Sequence, residues 1–303
     1  MLRPAAEPTP RADTQVCPYV TRAQEGLADL ALAVREGRTR LVGKRTVPPL
    51  QVQRALYLDH NLPDMAFIYL CNPTAGLLAG DHLTVQAEVG PGARAHLTTQ
   101  AATKVYSMPE GSARLDTCLT LGQDSCLEYM PEPLIPFQSA RLSQQTHIRV
   151  APGATLIYGE ALAQGRTARG ENLAYSRLQN RLEVQDSAGH ILYWESYDLS
   201  PAARSPLGRG VLGIQTQGHG YAVGTLIVVS QAGDAELLLH QVRAAVGGCP
   251  NAAAGASLLP GGQGMAVKTL APDTASAQGV LRGAWAVARR ALLGVDIPPS
   301  RRG

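Results

Sequence analysis

Four segments of the chain place oxygen-bearing side chains where almost no other charge is found. NPTAGLLAGDH (72–82) sets Asp81 after Gly76 and Gly80. TTQAATKVY (98–106) presents Thr98, Thr99, Gln100 and Thr103 ahead of Lys104 and Tyr106. EYMPEPLIPFQSARL (128–142) holds Glu128 and Glu132 between prolines, and GRTARGE (165–171) puts Gly165, Arg166 and Arg169 before Glu171. Hydroxyl, amide and isolated carboxylate oxygens are hard donors, weaker toward transition metals than paired His or Cys. The threonine–alanine stretch after the Pro91-Gly92 turn is too polar for an ordinary core and too uncharged for an ordinary surface.

Other chemistry finds little support. PGGQG (260–264) lacks a following Lys-Ser/Thr and the GxGxxG spacing, which argues against a phosphate loop or a dinucleotide site. There is no GxSxG nucleophile elbow. The seven histidines (His60, His82, His96, His147, His190, His219, His240) form no HxH or HExxH group. The five cysteines (Cys17, Cys71, Cys118, Cys126, Cys249) are odd in number and widely spaced, with no CxxC pair, so they read as reduced thiols rather than as disulfides or zinc ligands. The carboxylates are scattered, and sequence alone pairs no two of them as acid and base. The residues build no catalytic constellation, and the expectation is a non-enzyme with no cofactor of its own.

The totals narrow the partners. Charged residues make up 17% of the 303, below the roughly 25% of ordinary domains, which fits a surface covered by partners as well as it fits an alanine-rich background. A net charge of +3 and 5% aromatics give no case for nucleic acid. Residues 1–18 carry four prolines and no apolar run, and read as a disordered tail rather than a signal peptide. No stretch approaches the ~20 apolar residues of a membrane span. The expectation is a cytoplasmic protein with a single domain over 19–296 and a flexible tail at 297–303.

The elements that must position these residues are mainly strands. LADLALAVREGRTRLVGKR reads as a hairpin turning at Glu36-Gly37. PLQVQRALYL alternates through Leu50, Val52, Leu56 and Leu58, AFIYLCN is a continuous apolar run, and LTVQAEV alternates again. A weak repeat of tight turn, small residue and strand begins at Gly90, Gly122, Ala151 and Asp186. It suggests strand pairs stacked along an axis, the layers of a sandwich, or a chance likeness of turns. Two segments are helical. Asp234 caps one, with Leu237, Leu238 and Val242 on one side and Gly247 past its end. The other, TASAQGVLRGAWAVARRALLG, lines up Val280, Trp285, Ala288 and Leu292 and closes on Gly294, with Arg282, Arg289 and Arg290 elsewhere on the wheel. The fold class is mostly β, a strand-rich superhelix or stacked-sheet single domain with about two α-helices.

Read in order, NPTAGLLAGDH, TTQAATKVY, the Pro-Glu strand and GRTARGE resemble the UreD (UreH) family of urease accessory proteins. The upstream EGRTRL and PLQVQRALY and the C-terminal GAWAVARRALLG agree with it, so the likeness spans about residues 27 to 294. TTQAATKVY and GRTARGE are its most specific parts. Thr74, Ala75 and Ala79 depart from the family's Pro, Gly and Gly, and the chain ends PPSRRG where the family often ends Pro-Arg-x-Trp.

The resemblance implies a scaffold in metallocentre assembly. It would bind UreF, the GTPase UreG and the urease structural subunits, so that GTP acts through a partner and nickel is transient cargo. The family fold is a strand-rich superhelix, and a dimer within the accessory complex is an open alternative. The resemblance further implies a polar passage for nickel, with Asp81, Thr103, Glu132 and Glu171 as path residues. Alternation along the strand gives Thr98 and Gln100, with Thr103 farther on, as its wall and turns Thr99 away. The motif and structural positions are Gly76, Gly80, Thr98, Thr99, Gln100, Lys104, Tyr106, Gly165, Arg166 and Trp285. A packing or interface role for the same residues, and a β-rich hydrolase or carbohydrate-binding domain with an unrecognised site, remain as alternatives.

Overall fold

The computed structural model describes residues 23–74, 76–201, 221–249 and 251–298. The expected tail over 1–18, Cys17, Ala75, His219 and most of the C-terminal segment 297–303 lie outside them. The chain opens with a hairpin, β1 (Glu25–Arg35) and β2 (Arg38–Val47). Its turn places Glu36 and Gly37 at φ 53° and 72°, the double left-handed geometry of a twist-matched hairpin. β3 (Gln51–Val52) comes next. The alternation expected to run from Leu50 to Leu58 stops there, and beyond it Leu56 makes only an isolated bridge with Phe67. Pro48 and Pro49 donate no backbone hydrogen bond, which restricts ladder formation at the start of this segment.

The body is a stack of coils, each crossing from one sheet to the other. The first coil is β4 (Ala66–Cys71), β5 (Gly76–Leu77) and β6 (His82–Val89). The second is β7 (Arg94–Thr99), β8 (Thr103–Val105) and β9 (Ala113–Leu121), and the third is β10 (Cys126–Tyr129), β11 (Leu134–Pro136) and β12 (Arg141–Val150). The fourth has β13 (Thr155–Leu162) and β14 (Arg177–Asp186). Like strands stack in parallel: β4, β7, β10 and β13 on one side, β6, β9, β12 and β14 on the other. The repeat turns at Gly90, Gly122 and Ala151 are the corners of this stack. They bond to one another, Gly92 N–H to Gln123 O at 2.9 Å and Asp124 N–H to Pro152 O at 3.2 Å. The fourth turn, at Asp186, is not a corner. It closes a hairpin in which β15 (Ile191–Leu199) returns antiparallel to β14 in the same sheet.

Antiparallel strands β16 (Ala222–Val229), β17 (Ala253–Leu258) and β18 (Gly264–Ala271) extend the β13 side of the stack. α1 (Ala235–Gly247) and α2 (Thr274–Leu293) pack on the outer face of those strands. β13 therefore has two buried faces. Leu156, Tyr158 and Leu162 join the core between the sheets, while Ile157 and Ala161 join the core under the helices.

Both helices start on an aspartate cap. Asp234 accepts from the N–H groups of Glu236 and Leu237, and Asp273 accepts from Ser276. Gly294 ends α2 in the left-handed conformation at φ 71°, as expected. In α1 the buried face is Leu238, Leu239, Val242 and Val246, with Leu237 exposed, and Gly247 is the last helical residue rather than the one beyond. The larger difference concerns Arg289. The helical wheel of α2 assigns it away from the apolar face, yet it is fully buried beside Trp285 and Ala288.

Candidate functional site

A cavity of about 150 Å³ lies between the two sheets, space enough for several water molecules. Its wall changes character along the stack. One row of inward residues, in register on four neighbouring strands, reads Leu83, Leu115, Gln144, Asn180. The facing row reads Ile68, Leu97, Tyr129, Tyr158. In these two rows the first two coils give only apolar residues, of which Leu83 and Leu115 line the cavity, and the third and fourth give polar ones. At this polar end stands Glu160, which faces inward from β13 because Tyr158 and Leu162 do.

Glu160 is held by three donors. Tyr158 Oη donates to Oε2 at 2.7 Å, Gln144 Nε2 to Oε2 at 3.0 Å, and Asn180 Nδ2 to Oε1 at 2.9 Å. Burial raises its pKa most, and Glu195 adds to that. The Tyr158 hydrogen bond, Lys268 and Asn180 pull the other way, and the net shift is upward. The side-chain oxygen Oδ1 of Asn180 is buried with no protein hydrogen-bond partner among the described residues. Tyr129 stacks on Tyr158 with centroids 5.7 Å apart, and burial pushes its hydroxyl up to about 12. Lys268 closes this end, paired with Glu195 and donating to Thr225 Oγ1 at 2.8 Å. Apart from the Lys268 ammonium, the polar groups here are oxygens and neutral amides, and Cys71 is the one sulfur among the described lining residues. Such walls solvate a hydrated cation without chelating it.

Of the expected path residues, Thr103 and Glu132 line the cavity. They sit near its opening, where Gln100 and Ala101 are exposed. Thr99 lines the cavity and Thr98 does not, the reverse of the expected assignment. Leu97 faces inward on β7, so alternation turns Thr99 inward and Thr98 outward, and the hydrogen bonds follow that phase. Thr98 Oγ1 donates to Met130 O at 2.7 Å and is buried toward the next coil, while the chain leaves strand geometry after Thr99. Thr99 Oγ1 clasps the corner, accepting from Glu132 N–H at 2.9 Å and donating to Ala101 O at 3.1 Å.

Asp81 and Glu171 are placed elsewhere. The carboxylate of Asp81 accepts from Gln24 N–H at 2.9 Å and Leu78 N–H at 2.8 Å, tying the strand that enters β1 to the corner before β6. Glu171 accepts from Arg166 Nε at 2.8 Å and from Gln138 N–H at 3.1 Å, with a second, shorter bond from Arg166 Nη2. Arg166, above all, holds the Glu171 carboxyl below its ordinary pKa, while Arg166 also lies 3.8 Å over the Phe137 ring. Gly165 permits this knot: at φ 141° it brings its Cα so close to Glu171 O that an added Cβ would stand 2.6 Å away. Gly76 serves the other motif in the same way. A side chain there would run into Lys104 O and the Tyr106 ring. Tyr106 packs edge-on against Phe137 at 5.1 Å and donates to Thr74 O at 3.2 Å.

A second polar cluster, missed in the sequence, locks α2 to the coils. Arg289 Nε donates to Glu128 Oε1 at 2.8 Å, Nη2 to Asp59 Oδ2 at 2.6 Å and Nη1 to Asp296 O at 2.6 Å. The other oxygen of Glu128 meets His96 Nδ1 at 2.9 Å, and His96 is sandwiched between Phe67 and Trp285 at 4.9 and 5.5 Å. Burial opposes ionisation of Glu128, but His96 and then Arg289 outweigh it and hold the carboxyl below its ordinary range. Among the described residues no group of three or more His, Cys, Asp or Glu could hold a metal ion, and no helix is long and apolar enough to cross a membrane.

The family model described as UreD urease accessory protein matches residues 24–303. The chain is 35% identical to urease accessory protein UreD 2 of Streptomyces griseus over 280 residues, 92% of this chain and 94% of that one. It is 33% identical to urease accessory protein UreD of Haloarcula marismortui over 279 residues, 92% and 91% of the two chains. It is 31% identical to urease accessory protein UreD 2 of Brucella suis over 266 residues, 87% and 86% of the two.

Proposed function

The chain belongs to the UreD family of urease accessory proteins, with the role in urease maturation that this implies, and from that premise we propose that it works as a non-catalytic scaffold and nickel conduit. On this reading it binds UreF and the GTPase UreG against apo-urease, and nickel crosses the cavity between its sheets as cargo. The observation that supports the conduit best is the polar half of that cavity, where Thr103 and Glu132 stand near the opening and Glu160 lies farther in.

The physical reasoning is one of balance. A conduit for a dication must replace part of its hydration without retaining it. Oxygen donors spread singly along a wall do that, whereas a His or Cys cluster would trap the ion. The wall residues also hold fixed positions. Glu160 has three donors, and Glu132 is anchored through its own N–H to Thr99.

The test is a pair of variants in cells expressing the urease operon, Thr103→Val with Glu132→Gln, read by pull-down of UreF, UreG and urease and by nickel content of the same urease. Intact complex with reduced nickel is the expected result. Full nickel loading removes the conduit, and loss of the complex assigns the residues to the interface instead.

A further inference from the structure

We propose that the outer edge of β2 is a docking surface for an acidic protein segment. The sequence places Arg35, Arg38, Arg40, Lys44, Arg45 and Arg54 within twenty positions, against the single carboxylate of Glu36. That local excess of +5 exceeds the +3 of the whole chain, so the remainder is net negative. The fold concentrates these cations further. β2 is the last strand of its sheet, with β1 on one side only, and the segment carrying Arg54 and Tyr57 folds back beside it.

Between the two runs lies an open groove of about 470 Å³, lined by Arg40, Leu41, Val42, Lys44, Arg54 and Tyr57 with Ala55. Three features mark it as more than a charged rim. The register between β1 and β2 slips at Ala31/Leu32 and leaves Val42 without a partner opposite, a bulge that presents its side chain 49% exposed. Tyr57 is fixed from two directions, donating to Thr39 O at 2.8 Å and carrying the Arg38 guanidinium 4.5 Å over its ring. Among the described residues, the one ion pair within this group is Arg40 with Glu36 at 3.4 Å, between well-exposed side chains. Such a pair gives way readily to a competing carboxylate.

Edge strands are commonly blunted by a charge or a bulge, and one lysine suffices for that. Three cations lining a concave surface with an aliphatic and an aromatic floor, and a fourth, Arg38, over the ring of Tyr57, go beyond that need. The chemistry that fits is a polypeptide segment with several carboxylates and interspersed aliphatic side chains: carboxylates for Arg40, Lys44 and Arg54, aliphatics for Leu41 and Val42. A nucleic-acid strand fits less well. Its bases need open aromatic faces, and Tyr57 already carries Arg38.

The probes are a fluorescent peptide of about twelve alternating Glu and Val residues, its Lys/Val counterpart and a single-stranded oligonucleotide of similar length, titrated against the full chain. The length is set by the ~3.3 Å reach of an extended residue. Binding of the Glu/Val peptide alone is expected, weakening about tenfold or more when salt rises from about 0.05 to about 0.3 M. Arg40→Gln with Lys44→Gln and Arg54→Gln should abolish it, and Arg54→Gln alone should weaken it severalfold with the circular dichroism unchanged. Equal or tighter binding of the oligonucleotide, binding of the Lys/Val peptide, or unchanged affinity of the Arg54→Gln protein each overturns the proposal. The conduit reading is untouched by any of these outcomes, since no residue of the groove lines the cavity.

Discussion

Arg289 and Glu128 are 161 residues apart in the chain and 2.8 Å apart in the fold, both with fully buried side chains. Asp59, from a third region, accepts from Nη2 of the same guanidinium. Removing the arginine would strand two carboxylates in the interior. Arg289→Met is therefore expected to cost about 3–5 kcal/mol, the range for breaking a buried pair from one side. Urea unfolding of the full chain measures it, and a loss below about 1 kcal/mol would mean that water reaches the cluster.

The same cluster sets a pH dependence. The Glu128 carboxyl is depressed in the folded protein, so its stabilisation is complete above its ordinary value of about 4.3 and is lost as pH falls through the folded value. The wild type should lose stability on acidification more steeply than Glu128→Gln. Parallel curves from about pH 6 down to about pH 3 would remove Glu128 from the account.

Glu160 has the opposite sign. Its carboxyl is raised, so the folded state favours the proton, and stability from this group is lost as pH climbs through the folded value. The stability of Glu160→Gln relative to wild type should therefore improve between about pH 4 and pH 7. Denaturation midpoints of the two proteins at both pH values decide it, and a relative change toward wild type contradicts the raised value.

Trp285 covers His96 from the helix side and is 8% exposed. Trp285→Ala should cost about 3–5 kcal/mol by truncation of a buried aromatic. Loss of folding and of complex assembly together is expected. A variant that assembles normally yet delivers no nickel would place Trp285 in the path instead.

Glu171→Leu separates the knot from the passage. The Arg166–Glu171 pair fastens the loop after β13 to Gln138 and Phe137, outside the cavity lining. Complex recovery and urease nickel should fall together. Retained complex with reduced nickel would return Glu171 to the path.

Local signals carried the legible part of the fold. The turns at Gly90, Gly122 and Ala151 hold their geometry in adjacent residues, and they are the corners of the stack. The fourth turn has the same local form, but pairing decides where the next strand goes: β15 meets β14 rather than opening a new coil. Arg289 defeated the helical wheel because its partners, Asp59 and Glu128, arrive from distant segments. Glu160 was legible in principle, since one carboxylate inside the strand TLIYGEAL signals either an exposed face or a buried polar site. Thr98 and Thr99 exchanged roles because the polar sequence does not reveal which phase of the alternation faces inward, and Leu97 sets it; β7 ends after Thr99, so Gln100 lines the cavity as well.

A pile of parallel coils has no natural length. Each layer adds ~4.8 Å and leaves at its free edge the same unsatisfied donors and acceptors that it has just used. Reversal of direction halts growth here: β2 turns back on β1 beside the first coil, and β15 turns back on β14 beside the last. These hairpins act as terminators of a one-dimensional polymer, and the bulged, cationic β2 is ill-suited to template another strand. Excising residues 25–47 would bare the backbone of His82–Val89 at one end only, since β15 still closes the other, and the expected product is a dimer joined edge to edge rather than a shorter monomer.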